Sequence, residues 1–167
     1  MTGVQTCALP ICGYLAAAVT TLSGLDEPGE DTSVSPRADA LILFNANPDR
    51  GPESRGFAKV KEAMGERWRT ISPLHNLHRG FPPTVHFLGR ADRNIPVAAA
   101  ERFKAAVEKV GGRCDLHLYD GQEHGFFNYG RGDNTYFRLT LLETDRFLAS
   151  IGFLSGPPNP DDPVFRP

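Results

Sequence analysis

Two loop residues carry the chemistry in this chain. His124 stands between two glycines in Gly121-Gln122-Glu123-His124-Gly125-Phe126-Phe127-Asn128, after a strand-like run from Arg113 to Asp120. Asp92 holds the same place after an earlier strand-like run. An acid after one strand and a histidine after the next are two of the three members of a Ser-His-Asp triad. In that triad the histidine moves protons as general base and acid, and the carboxylate fixes its tautomer. The third member, a nucleophile, has to come from upstream. No G-x-S-x-G elbow occurs in the sequence. Ser72 has a turn context in Ile71-Ser72-Pro73 but lacks the flanking glycines of an elbow. Asp120 competes with Asp92 as the acid. It lies at the end of the histidine's own strand, where turning or capping the chain is its plainer role, whereas the triad needs an acid from a neighbouring strand.

The elements that must hold these loops follow from the apolar pattern. Ala40 to Asn45, Thr84 to Leu88 and Cys114 to Leu118 read as three strands. The first is a short continuous apolar run bounded by turn residues, as expected for a strand buried on both faces, and the second reads as another buried strand. The third alternates apolar and polar residues, which exposes one face more. Helical spacing marks Gly13 to Gly24, Phe57 to Arg69, Val97 to Val110 and Asn134 to Gly152. In the first, Leu15, Ala16, Val19 and Leu22 recur on one face. In the second, Val60, Met64 and Trp68 do, with Trp68 as a packing anchor. Ala100, Phe103, Val107 and Val110 line the third, and Tyr136, Leu139, Leu142 and Phe147 the fourth. Alternating strands and helices imply right-handed crossovers and a parallel sheet. Ligands bind such sheets at the C-terminal ends of the strands, where Asp92 and His124 both fall.

The remaining candidates have plainer readings. His86 lies inside a strand and is read as a satisfied core or interface histidine. His75 and His78 are three apart and could share a helical face as metal ligands, but no acid nearby completes a set. Of the three cysteines, Cys7 and Cys12 lack a partner pair at zinc spacing, and Cys114 is read as a buried thiol. Neither a metal nor a cofactor is expected.

Whole-chain properties bound the rest. The 167 residues fit one domain. A net charge of −2 without any basic stripe argues against nucleic acid as a partner. No apolar run has the length a bilayer requires. Met1 to Gly24 is apolar, but it lacks the positive start of a signal peptide.

Three motifs carry a family resemblance. They are Ser72-Pro73-Leu74, then Pro83-Thr84-Val85-His86-Phe87-Leu88-Gly89-Arg90-Ala91-Asp92 with Ile95-Pro96, and Gly121-Gln122-Glu123-His124-Gly125-Phe126. With them the chain resembles the α/β-hydrolase family, in particular its carboxylesterase and acetyl-xylan-esterase-like members, near the prolyl-oligopeptidase-type catalytic domains. The resemblance implies an α/β fold: the C-terminal half of an α/β-hydrolase, with about three parallel strands and flanking helices. It implies serine-dependent hydrolysis of small-molecule or carbohydrate esters, with Asp92 and His124 as triad members. A peptidase of prolyl-oligopeptidase type and a non-catalytic binding module are the alternatives.

In that family the nucleophile elbow reads G-x-S-A-G-G-H-L-A-A-A, and Gly13-Tyr14-Leu15-Ala16-Ala17-Ala18 matches its end. Counting back puts the serine at Pro10 and an oxyanion-binding N–H at Ile11. Met1 to Ile11 resembles the in-frame translation of a sequencing-adapter oligonucleotide. The expected organisation is therefore a non-native segment over 1–11, a partial hydrolase domain over 12–154 and a proline-rich tail over 155–167. A strand missing beside Ala40 to Asn45 would leave an exposed apolar edge, an aggregation hazard. The native compartment is not legible, although secretion or a periplasmic location fits the parent family.

Overall fold

In the computed structural model, residues 5–7, 10–24, 26–33, 35–156 and 158 are described; for 5–7 and 10–12 this covers the backbone alone. Most of the tail expected over 155–167 lies outside the described residues. Within those residues, four parallel strands form one sheet in the order β1-β2-β3-β4. They are β1 (Gln5–Cys7), β2 (Leu41–Phe44), β3 (Thr84–Gly89) and β4 (Cys114–Tyr119). Among the described residues, four α-helices connect and follow them: α1 (Pro10–Thr21), α2 (Phe57–Met64), α3 (Val97–Lys109) and α4 (Thr135–Ser150). The three expected strands are present, and the sheet gains β1. That strand pairs with β2 over Gln5↔Leu41 to Cys7↔Leu43. The exposed edge expected on β2 is therefore covered.

The apolar run of β2 is continuous because both its faces are covered. Leu41 and Leu43 pack with Ala16 and Ala17 of α1 and with Phe103 and Val107 of α3. Ile42 and its neighbour Ala40 pack on the opposite face with Val85, Phe87 and Phe147. Successive residues of a strand point to opposite faces, so each layer takes alternate positions.

Three helices depart from their expected faces or lengths. In α1 the buried stripe is Ala16-Ala17-Ala18 with Thr20 and Thr21, while Leu15 and Val19 face outward. The helix lies so close to the sheet that only small residues fit: a Cβ on Gly13 would come within 2.8 Å of the Ala46 Cβ. The two threonines are tolerated because each hydroxyl donates to a carbonyl one turn back, Thr20 to Ala16 and Thr21 to Ala17. The helix expected from Phe57 to Arg69 stops at Met64, where Gly65 turns with φ 57°, and a 3₁₀ segment, Gly65–Ile71, follows. Trp68 is buried from that segment, edge-on to Phe57 at 5.3 Å. In α4 Leu139 faces outward, and Phe147 is the large apolar side chain the helix buries fully.

Helix α3 follows its expected face through Ala100, Phe103 and Val107. It ends where Gly111 (φ 83°) and Gly112 return their N–H groups to Glu108 and Val107. Cys114 is buried at the start of β4, and burial pushes its thiol up to about 12. Among the described residues, no helix is long and apolar enough to cross a membrane.

Candidate active site

β3 and β4 lie side by side in register from Thr84↔Cys114 to Gly89↔Tyr119. Their pairing continues past the strand ends into the loops that carry Asp92 and His124. The Arg90 N–H donates to the Tyr119 carbonyl and the Ala91 N–H to the Gln122 carbonyl, both at 2.9 Å. The first loop turns back at once, with the Asp92 N–H on the Gly89 carbonyl. These bonds hold the two loops against each other without help from the Asp92 or His124 side chain.

The Asp92 carboxylate is fully buried and surrounded by donors. Its Oδ1 accepts from the backbone N–H groups of Asn94 (2.7 Å) and Ile95 (3.0 Å). Its Oδ2 lies 2.7 Å from His124 Nδ1 and also accepts from Asn45 Nδ2. The backbone N–H groups of Asn94 and Ile95 and the Asn45 amide N–H donate, so toward these three the carboxylate acts as an acceptor. A proton on Nδ1 leaves the Nε2 lone pair of a neutral imidazole available as a base.

The His124 loop is anchored on both sides of the imidazole. Arg131 Nη1 donates to the His124 carbonyl at 2.8 Å. Gly125 takes φ 77°, a conformation costly for any residue with a side chain. Phe126 and Phe127 then turn into the core, packing with Ile42, Val85, Phe87 and Phe147. The Phe127 ring lies 4.7 Å from that of Phe44, and the Phe126 ring 5.0 Å from that of Tyr119. The aromatic pair after the histidine thus pins the loop.

His124 is about a third exposed and lines a cleft of about 440 Å³. Tyr14, Asn47, Arg50, Arg55 and Asn94 line it too, and no carboxylate among the described residues does. Tyr14 stands one turn into α1 from Pro10. Its hydroxyl donates to the Ile71 carbonyl at 2.7 Å, and the Arg50 guanidinium lies over its ring at 3.9 Å. Arg55 donates to the Arg93 carbonyl and to Asn94 Oδ1. The loop bearing Arg50 is braced from behind by Arg102 of α3, which pairs with Asp49 and Glu53. Helix α1 itself starts at Pro10 and follows β1 in the chain.

The other sequence candidates lie elsewhere. Asp120 is exposed and pairs with Arg90 at 2.8 Å. Ser72 is buried; its hydroxyl accepts from the Arg50 N–H and lies 2.8 Å from His75 Nδ1. The His75 ring also stands edge-on to Trp68 at 4.8 Å, so this serine–histidine pair closes a turn. His78 Nδ1 bonds the Arg79 carbonyl. No group of three His, Cys, Asp or Glu among the described residues could hold a metal ion.

His86 does not fit its reading as a satisfied core histidine. It is fully buried, and neither ring nitrogen has a hydrogen-bond partner among the described residues. The Ala46 backbone lies near enough to favour the proton somewhat, but burial dominates and lowers the imidazole to about 4. Asn45 was missed for a different reason: its only mark in the sequence is a polar residue ending an apolar run.

A profile of the dienelactone hydrolase family matches residues 57–140, half of the chain. Solved structures of an esterase from the planctomycete Thermogutta terrifontis are similar. With propionate bound it is 38% identical to this chain, with a TM-score of 0.78, covering 87% of this chain and 55% of its own. Its apo form is 39% identical with a TM-score of 0.77, covering 86% and 54%. Phosphorylated by paraoxon it is 38% identical with a TM-score of 0.75, covering 86% and 52%. The chain spans about half the length of these solved relatives. No curated protein matches it.

Proposed function

The chain belongs to the dienelactone hydrolase family, and on that footing we propose that it carries the acid and base of a serine carboxylic-ester hydrolase. The observation that supports this most is the 2.7 Å bond between Asp92 Oδ2 and His124 Nδ1, set beside a cleft that α1 also lines. In such a hydrolase the serine oxygen attacks the ester carbonyl carbon while His124 Nε2 takes the hydroxyl proton. The tetrahedral intermediate collapses, the C–O bond to the alcohol breaks, and His124 returns the proton to the leaving oxygen. Water then repeats the sequence on the acyl-serine and releases the acid. Asp92 holds the Nδ1–H tautomer and stabilises the imidazolium formed in each half.

The acyl group is acetyl or another short chain, in keeping with the propionate bound to the similar esterase. A carbohydrate alcohol belongs to the proposal through the acetyl-xylan-esterase likeness that the three motifs carry together. The nucleophile position, counted back to Pro10, holds no serine, and the sequence has no G-x-S-x-G. The chain as it stands therefore has its acid and base without a nucleophile.

Two measurements on the purified chain test this. We expect no hydrolysis of 4-nitrophenyl acetate above background and no diethylphosphoryl adduct by mass spectrometry after paraoxon treatment. Turnover, or an adduct on any serine, that disappears in His124→Ala would place a nucleophile within this chain and overturn that part of the reading.

A further inference from the structure

In the sequence Asn45 merely ends an apolar strand. In the structure it is fully buried, takes φ 46°, and donates from Nδ2 to Asp92 Oδ2, the same oxygen that meets His124 Nδ1. Among the described residues, its buried Oδ1 has no hydrogen-bond partner. Its backbone needs no help from the side chain, because the Asn45 N–H continues the ladder to the Phe87 carbonyl at 2.9 Å. Glycine would take this left-handed turn freely and leave no orphaned carbonyl oxygen behind. The side chain is thus a local liability whose one satisfied contact is the triad acid.

We infer that Asn45 is a positioning residue, whose amide fixes the direction of Asp92 Oδ2 and so holds His124 as the Nδ1–H tautomer. The inference rests on the acid–base reading of Asp92 and His124 proposed above. The division of labour at the carboxylate supports it. The Asn94 and Ile95 N–H groups hold Oδ1 from within the acid's own loop. They leave the carboxylate free to swing Oδ2 about that anchor. Asn45 reaches Oδ2 from the neighbouring strand and removes that freedom. Two donors on one oxygen, from β2 and from the β4 loop, tie three strand ends to a single atom.

The test is the ring tautomer of His124, read by two-bond ¹H–¹⁵N correlation in the ¹⁵N-labelled chain at a pH where the imidazole is neutral. It needs no nucleophile and no turnover. Asn45→Gly matches the backbone angle and removes the amide. Asn45→Asp keeps the shape and the tolerance of positive φ but replaces the donor with an acceptor. We expect the wild-type chain to show Nδ1–H. In both variants the ratio of Nδ1–H to Nε2–H should fall about tenfold, the equilibrium equivalent of one charge-assisted hydrogen bond. The thermal midpoint of Asn45→Gly should stay at or above that of the wild type. Unchanged tautomer ratios in the variants overturn the inference. So does an Asn45→Gly chain that fails to fold, because the side chain would then be structural. A wild-type chain without the Nδ1–H form overturns the Asp92–His124 reading itself, and the role of Asn45 with it.

Discussion

The backbone of Gln122 runs directly over Gly89: a Cβ on Gly89 would overlap the Gln122 carbonyl oxygen and stand 2.6 Å from its carbonyl carbon. Gly89 ends β3 and Gln122 precedes His124, so this contact sets how closely the acid and histidine loops approach. Alanine at position 89 cannot be relieved by a side-chain rotation, since the obstacle is backbone. Gly89→Ala should lower stability by about 1–3 kcal/mol, as overpacking does. It should also break the Ala91–Gln122 bond and separate His124 from Asp92. Chemical denaturation measures the first effect and loss of the His124 Nδ1–H signal the second.

Replacing Asp92 by asparagine leaves the shape of the site and changes its hydrogen bonding. The carboxylate accepts four bonds in a buried setting, and an amide nitrogen at either oxygen position faces a donor. Asp92→Asn should cost roughly 1–3 kcal/mol, the penalty for a buried group set against a mismatched partner. His124 should turn to its Nε2–H form, which places a donor where the proposed base needs a lone pair. The same ¹⁵N spectrum reads this outcome.

His86 gives the fold a pH dependence of definite sign. Its imidazole titrates near 4 in the folded chain, against an ordinary value of 6.5. Between those values the unfolded chain binds the proton and the folded chain does not, so stability rises with pH. The contribution is complete above 6.5 and is lost as pH falls toward 4, a span worth on the order of 3 kcal/mol. Urea midpoints at pH 7 and pH 4.5 should differ accordingly. In His86→Leu that difference should shrink. An unaltered pH profile in the variant would place the titration elsewhere.

Phe127 anchors the histidine loop through the core, in contact with Phe44 and Phe126. Phe127→Ala should cost about 3–5 kcal/mol, as large-to-small changes in aromatic cores do. Amide hydrogen exchange should quicken first across Gly121 to Asn128, and only later in α3, which packs on the other face of the sheet.

Much of this arrangement is legible along the chain. Leu41 to Phe44 announces itself because a strand buried on both faces is apolar at every position, and β4 announces itself by alternating apolar and polar residues. The Asp92 and His124 loops are legible because glycines and prolines interrupt those runs where the chain turns. The buried face of α1 is not legible. Periodicity selects Leu15 and Val19, whereas a close helix–sheet approach selects the alanines and the two threonines. The break at Gly65 is a tertiary choice as well: the 3₁₀ segment beyond it brings Trp68 to Phe57 and His75.

By itself, then, the sequence determined the alternation of strands and helices, and the order in which the acid and the histidine leave the sheet. These depend on local pattern, because burial and turning are decided over a few residues. The tertiary structure alone decided that Asp92 Oδ2 meets His124 Nδ1, that Gly89 must be bare beneath Gln122, and that Asn45 reaches the acid from another strand. It alone set Arg50 and Tyr14 beside His124 in one cleft. Each of these joins residues far apart in the chain, and sheet register and loop docking bring them within bonding distance.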